Sequence, residues 1–376
     1  MANSKTFWHT FRRIFIIFSP YWFVIPLVMV GLFLRFQHRA MTELWTDELY
    51  QLRALNYVFF WDMIRALPKS EICPYLSGDY YLIYPFFKIF GVNKWGLAIP
   101  HMISMFLGFY IFYLVCKNNL KTRWGYGIAF AIFCFNITLI KHALEIRTYA
   151  VLPTLALAAF YFLQRFIAQG GYARSRQRWG LSILLVIVIL FHAYGILIVF
   201  SCLIYFLGLM RYENNFLTIL KEVAKMMSGV LIVIMPIWLL SVLGEHRVED
   251  TSHTFDFIPN PLFEPVGFLK SVFGNLMGRK SLYFLYIGFL GALLLPHRER
   301  WKQTAFFLIM VVAPIMLILL ADVRRDYWFV QRQFVWIVPW FSFFIAGCWE
   351  SCIEYISKKA WLRGRINPSG VRITHT

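Results

Sequence analysis

The sequence predicts an all-α, polytopic membrane protein of about ten transmembrane helices, and three observations carry that expectation. The first is composition: 60% of the 376 residues are hydrophobic, 19% aromatic and only 15% charged, with a mean hydropathy of +0.61. A soluble domain of this length would need far more charge on its surface. The second is that uncharged runs approaching or exceeding the roughly 20 helical residues that cross a hydrocarbon core recur from end to end. The third is where the basic residues lie between those runs.

In chain order the runs are Ile14–Leu34, Trp95–Cys116, Trp124–Ile140, Thr148–Gln164, Trp179–Met210, Met226–Gly244, Ser281–His297, Gln303–Ala321 and Gln333–Trp349. The first is too long and too aromatic for a removable signal and has no small-residue cleavage site before Arg35–Arg39, so it reads as a retained helix. Trp179–Met210 is too long for one crossing and carries His192-Ala-Tyr-Gly195 in its middle, which predicts a turn there. Splitting it places both chain ends on one side. That side then collects Lys5, Arg12 and Arg13, the loops around Lys121, Arg176, Lys221 and Arg300, and the tail from Lys358 to Arg372.

Cytoplasmic loops hold an excess of Lys and Arg, so this side reads as cytoplasmic and the net charge of +18 reads as a topology signal. A nucleic-acid role is excluded on the same ground. Residues 1–356 form a single transmembrane domain, with outer loops at about 35–94 and 245–280, followed by a basic cytoplasmic tail over 357–376. The sequence shows no internal repeat. Of the six cysteines, five fall in expected helices and only Cys73 in a loop, so they read as core residues and not as a disulfide framework.

Polar chemistry collects on the outer side. The first outer loop contains "LWTDELY", with Asp47 and Glu48 adjacent. Leu49, Leu52, Leu55, Phe59 and Met63 recur at helical spacing, which predicts an amphipathic interfacial helix over Asp47–Arg65. Thr46 is a candidate N-cap, and acids in a first turn suit the helix dipole. The acid pair therefore has two readings, a helix start and a functional site.

"KHALEIRTYAVLP" (Lys141–Pro153) forms the next outer turn. Ionisable groups so close to hydrocarbon face a cavity or each other. His142 and Glu145, three apart, would share a helix face and could ligate a metal, with Glu48 as a further ligand; an ion pair of Glu145 with Arg147 or Lys141 is the competing reading. His192 and Tyr149 lie at the same depth. Arg324, Arg325 and Arg332 flank the last two helices, and arginine is the side chain best matched to phosphate, although lipid headgroups would attract it equally.

In its motif order the chain resembles the GT-C class of integral-membrane glycosyltransferases, in particular the group that includes protein O-mannosyltransferases and aminoarabinose transferases. The resemblance runs through "LRF…R…LWTDELYQLRAL" (Leu34–Leu55), Tyr80–Val115, "HALEIRTYAVLPTLALAAFYFL" (His142–Leu163), "HAYG" (His192–Gly195) and "RQFVWIVPWFSFFIAG" (Arg332–Gly347). It implies sugar transfer from a polyprenyl-phosphate donor to a glycan, lipid or protein acceptor on the non-cytoplasmic side. Asp47 would be the catalytic base with Glu48 beside it. Arg147, Arg332 and Lys141 would hold the donor phosphate, and Glu145, His142, His192 and Tyr149 would line the substrate cavity.

No cofactor is firmly implied; a divalent metal is one reading. The chain departs from the family at "CPYLSGDYYLIY" (Cys73–Tyr84), where relatives often carry a His–Pro–Pro-like motif. Two other functions compete. A polysaccharide polymerase or ligase would show a dominant outer loop in its second half, and a transporter would show ionisable groups in mid-helix and paired halves.

Overall fold

The computed structural model describes residues 22–66, 78–169, 175–192, 194–211, 215–243, 264–278, 282–293, 297–325 and 331–365. Among these residues the regular structure is helical and there is no strand. In order they are α1 (Val24–Met41), α2 (Thr46–Ala54), α3 (Phe60–Ala66), α4 (Gly78–Phe90), α5 (Lys94–Asn119), α6 (Arg123–Phe135) and α7 (Ile137–His142). A short 3-10 turn at Thr148–Ala150 leads into α8 (Leu152–Ala168), α9 (Ser175–Phe191), α10 (Gly195–Met210), α11 (Phe216–Leu243), α12 (Pro265–Met277) and α13 (Leu282–Leu293). A continuous rod follows: α14 (His297–Phe307), a π segment (Leu308–Val312) and α15 (Ala313–Arg325). The last element is a 3-10 stretch, Gln331–Ile337, continued by α16 (Val338–Arg365).

Among the described residues, four helical stretches are long and apolar enough to cross a bilayer: Val24–Met41, Lys94–Asn119, Arg300–Ile318 and Phe334–Ser357. Shorter apolar helices at Arg123–Phe135, Leu152–Ala168, Arg178–Phe191 and Gly195–Met210 stand among them. The centre of the bundle is Phe334–Ser357, nearly all of it buried, which packs along α6 and α13. Trp336, Trp340, Phe341 and Phe344 have almost no exposed surface there. Other close neighbours are α1 with α6, α5 with α8, and α9 with α8, α10 and α11. Outward-facing positions remain apolar, as on α1 (Ile25, Met29, Val30, Phe33), which is what a lipid solvent demands.

The long run Trp179–Met210 breaks where its sequence suggested. Helix α9 ends at Phe191, His192 and Tyr194 turn the chain, and α10 begins at Gly195. Gly195 permits the close approach of the two helices at this turn, since a Cβ there would collide with the Val188 carbonyl.

Three expectations about the first outer loop are corrected. The first helix continues to Met41, so Arg35 and Arg39 lie on α1 and not in the loop. Burial of these arginines is possible because protein acceptors take their donors. Arg35 Nη1 donates to the carbonyls of Gly31 (2.8 Å) and Cys134 (2.9 Å), and Nη2 to that of Phe133 (2.9 Å). A cation at the carbonyl end of α6 also suits that helix's dipole.

Second, the interfacial helix expected over Asp47–Arg65 is two helices, α2 and α3. Tyr84 Oη lies 3.1 Å from the Tyr57 carbonyl and 3.0 Å from that of Val58, and its one proton is shared between them, which ties the connection to α4. Leu52, Leu55 and Met63 are buried against Tyr80, Ile83 and Tyr84 of α4, whereas Leu49 and Phe59 are exposed. Third, the N-cap of α2 is Trp45 and not Thr46, and Glu48 reaches back to accept from the Trp45 N–H (3.1 Å), as an acid at the third helical position does. The five described cysteines are free and buried; Cys73, most of 245–280 and the end of the basic tail lie outside the described residues.

Candidate active site

Glu48 is the point on which the outer end of the bundle converges. Its side chain is completely buried. Oε1 accepts from Arg39 Nη1 (3.0 Å) and from the Ile146 backbone N–H (2.6 Å), while Oε2 accepts from Trp45 N–H. One carboxylate thus ties the end of α1, the start of α2 and the turn before α8 together. Its oxygens are filled by protein donors, so Glu48 touches no open space.

Asp47, one residue earlier, points elsewhere and is partly exposed. Its Oδ2 lies 3.9 Å from Arg147 Nη2, and Arg147 Nη1 donates to the Asp47 carbonyl at 3.4 Å. The Arg147 guanidinium also sits 5.8 Å from the Tyr149 ring centre, and its Nε has no hydrogen-bond partner. Burial pulls the Arg147 pKa down, but Tyr149, Tyr80 and Asp47 outweigh it, so the net direction is upward and the cation is secure.

Tyr149 stands between two histidines, with ring centres 6.1 Å from His142 and 6.3 Å from His192. His192 Nδ1 accepts from the Tyr194 N–H at 3.1 Å. Burial, then the Arg147 charge, push His192 down to about 4, so it is a neutral ring at physiological pH. His142 Nδ1 bonds the Glu145 carboxylate. They do not share a helix face: α7 stops at His142, and Glu145 lies in the following turn.

The structure therefore brings Asp47, Arg147, Tyr149 and His192 together and places the His142–Glu145 pair against the same tyrosine. Lys141 is not part of that group. It is exposed and lines a cleft with Arg39 and His38, of which neither Asp47 nor Arg147 forms a wall. The side chains of Arg324, Arg325 and Arg332 lie outside the described residues. Of the three side chains considered as metal ligands, Glu48 is saturated by protein donors and His142 and Glu145 bond each other, and among the described residues no group of three His, Cys, Asp or Glu side chains converges.

Sequence reasoning missed a second buried polar set. Asp79, at the start of α4, accepts from Gln51 Nε2 (2.6 Å) and bonds His101 Nε2 on α5 (3.1 Å); Asp79 is 2% exposed and His101 not at all. Gln51 is one turn beyond Asp47, so α2 is pinned at two successive turns, through Glu48 and through Gln51. The signal was present: an acid and a histidine embedded in apolar helices, each costly unless paired.

No family model matches the chain, and neither does any curated protein sequence. Among solved structures it is similar to ArnT from Cupriavidus metallidurans in the apo state, with a TM-score of 0.55 at 15% identity over 92% of this chain and 62% of that one. The chain thus shares the helical fold of that protein and spans about 62% of its length.

Proposed function

We propose that this chain is an integral-membrane glycosyltransferase that moves a sugar from a polyprenyl-phosphate donor to an acceptor hydroxyl at the extracytoplasmic face. The observation that carries the reading is the Asp47–Arg147 arrangement: a partly exposed carboxylate 3.9 Å from a guanidinium, at one end of a bundle of GT-C type. A carboxylate can accept a proton and a guanidinium can hold a phosphate. This reaction needs both within the reach of one substrate.

In the proposed step Asp47 takes the acceptor hydroxyl proton as that oxygen bonds the anomeric carbon. The bond from the anomeric carbon to the phosphate oxygen breaks, and its electron pair leaves with the lipid phosphate. Arg147 stabilises the charge that develops on the leaving oxygen. A phosphate leaves without a proton, so one base suffices, and direct displacement inverts the anomeric centre. Tyr149, beside Arg147, and neutral His192, whose ring centre is 6.3 Å from that of Tyr149, are assigned to supply stacking and hydrogen-bonding surface for a sugar.

Glu48 is assigned a positioning role, because its oxygens are spent on Arg39, Ile146 and Trp45. Both chain ends are assigned to the cytoplasm by the distribution of basic residues. The test is mass spectrometry of lipid co-purified with the protein, followed by transfer from that lipid in reconstituted vesicles. A polyprenyl-phosphate sugar that is consumed supports the reading; an enzyme that binds no such lipid and transfers from none overturns it.

A further inference from the structure

Helix α8 begins just after Tyr149, and its far end carries a groove that the outer site does not use. The groove lies between α8 and α9 and has a volume of about 420 Å³, within the roughly 300–1,000 Å³ usual for ligand clefts. Arg165 stands in the last turn of α8. At about 1.5 Å per residue it is roughly 20 Å along the axis from the start of that helix. The groove is therefore near the opposite face of the bilayer from Asp47, on the side that the basic residues assign to the cytoplasm.

Its lining is graded. The short connection between α8 and α9 makes them antiparallel neighbours, so Gln169 and Arg165 stand at the same end as Gly180. All three are exposed. A Cβ on Gly180 would meet nothing within 4 Å, which leaves the groove open at that point. Phe166 and Leu181 are buried and form the floor. Phe162 and Leu184 lie deeper along the two helices, and Phe162 is exposed, as is Ile183 beside the groove. A polar mouth thus leads into an apolar trough that faces lipid.

The charge at the mouth is unbalanced. Arg165 Nη1 lies 3.4 Å from the Tyr161 hydroxyl and its guanidinium 5.8 Å from the Tyr161 ring centre, but it has no carboxylate partner among the described residues. Arg178, by contrast, pairs with Glu222, which also takes Lys225. From Arg165 to Arg178 the sequence has four arginines and no acid. Trp179, exposed at the start of α9, is the kind of side chain that settles at the headgroup level.

We propose that the α8–α9 groove binds an anionic phospholipid from the leaflet on that side. Its headgroup sits on Arg165 with the Gln169 amide beside it, and an acyl chain runs over Phe166 and Leu181 towards Phe162 and Leu184. Head at the interface and chain inward is the same order as the lining. An apolar helix of a second copy fits less well, because it would cover Arg165 and leave a cation without a counter-charge. The site is defined by lipid binding alone and stands whether or not the outer site transfers a sugar.

The test is equilibrium binding of short-chain phosphatidylglycerol and, separately, short-chain phosphatidylcholine to the full chain in detergent. One basic side chain near an anionic headgroup corresponds to a preference of about 5-fold for phosphatidylglycerol. Arg165→Gln should abolish that preference and Arg165→Lys should keep it. Both alter an exposed residue without an ion pair, so the fold should persist. Gly180→Phe fills the trough and should weaken both lipids by roughly 10-fold, as the exclusion of two methylenes would. Equal affinity for the two lipids in the wild-type protein overturns the proposal, as does an undiminished preference in folded Arg165→Gln. A wild-type dimer that Gly180→Phe converts to monomer with lipid affinity unchanged assigns the groove to a second copy and overturns it too.

Discussion

Replacing Glu48 by glutamine is expected to destabilise the protein far more than a one-atom change suggests. The wild-type carboxylate has no solvent exposure and meets three donors: Arg39 Nη1 at 3.0 Å, Ile146 N–H at 2.6 Å and Trp45 N–H at 3.1 Å. Glutamine keeps one oxygen acceptor but turns the other position into a donor that faces one of these N–H groups. It also leaves Arg39, 4% exposed, as a buried cation without its counter-charge. Breaking one side of a buried ion pair costs about 3–5 kcal/mol, and an unmet backbone donor adds to that figure. Unfolding in a detergent titration reads the difference. The double variant Arg39→Met/Glu48→Leu removes both charges and is expected to lose much less than the two single changes added together. Glu48→Gln unfolding within about 0.5 kcal/mol of wild type would refute the assignment of Glu48 as the anchor of the outer end, since that is the usual span of an inconsequential surface change.

Three further outcomes follow from the same geometry. His192 titrates near 4 in the fold against an ordinary 6.5, so between those values the unfolded chain binds more protons and stability falls as pH falls; from pH 7 to 5 the loss is about 2 kcal/mol, and His192→Gln should flatten that slope in pH-dependent melting. Asp79→Asn removes the charged partner of His101 and weakens the tie to Gln51. Amide exchange in α2 should then rise, with kcat of the proposed transfer falling more than KM rises, and unchanged exchange would break the link between Asp79 and the helix that carries Asp47. Gly195→Ala drives a methyl into the Val188 carbonyl and should lower the melting temperature by several degrees, whereas Gly180→Ala, where a Cβ meets nothing, should not.

Much of the architecture could be read from the sequence because lipid is an undiscriminating solvent. Apolar runs must be helices, and the break at His192–Gly195 follows from a run too long for one crossing. The gathering of Asp47, Arg147 and His192 was legible for the same reason, since ionisable groups at helix ends in a greasy chain have few places to go. What stayed hidden was which hydrogen bonds each group makes. Adjacent carboxylates look alike in sequence, yet Asp47 is partly exposed beside Arg147 and Glu48 is locked in the interior, because helix geometry turns neighbours by about 100°. Arg39 looked like loop charge and is a buried helical residue, since its partner Glu48 lies nine residues ahead and beyond a turn. The Asp79–His101 pair joins residues 22 apart on separate helices and could not be paired without the fold. Lys141 and Arg147, six apart in the chain, part company: Lys141 lines the cleft beside α1, whereas Arg147 pairs with Asp47.

The central claim is that the Asp47 carboxylate is the base of a glycosyl transfer, and Asp47→Asn tests it most directly. The substitution is nearly isosteric, Asp47 is partly exposed, and Glu48 and Gln51 still hold α2, so the fold and donor-lipid binding should persist. Initial rates of sugar transfer from a polyprenyl-phosphate donor, measured in vesicles with quantified protein, should fall by about 10²–10⁴-fold. Transfer at the wild-type rate in a correctly folded Asp47→Asn protein would contradict the account.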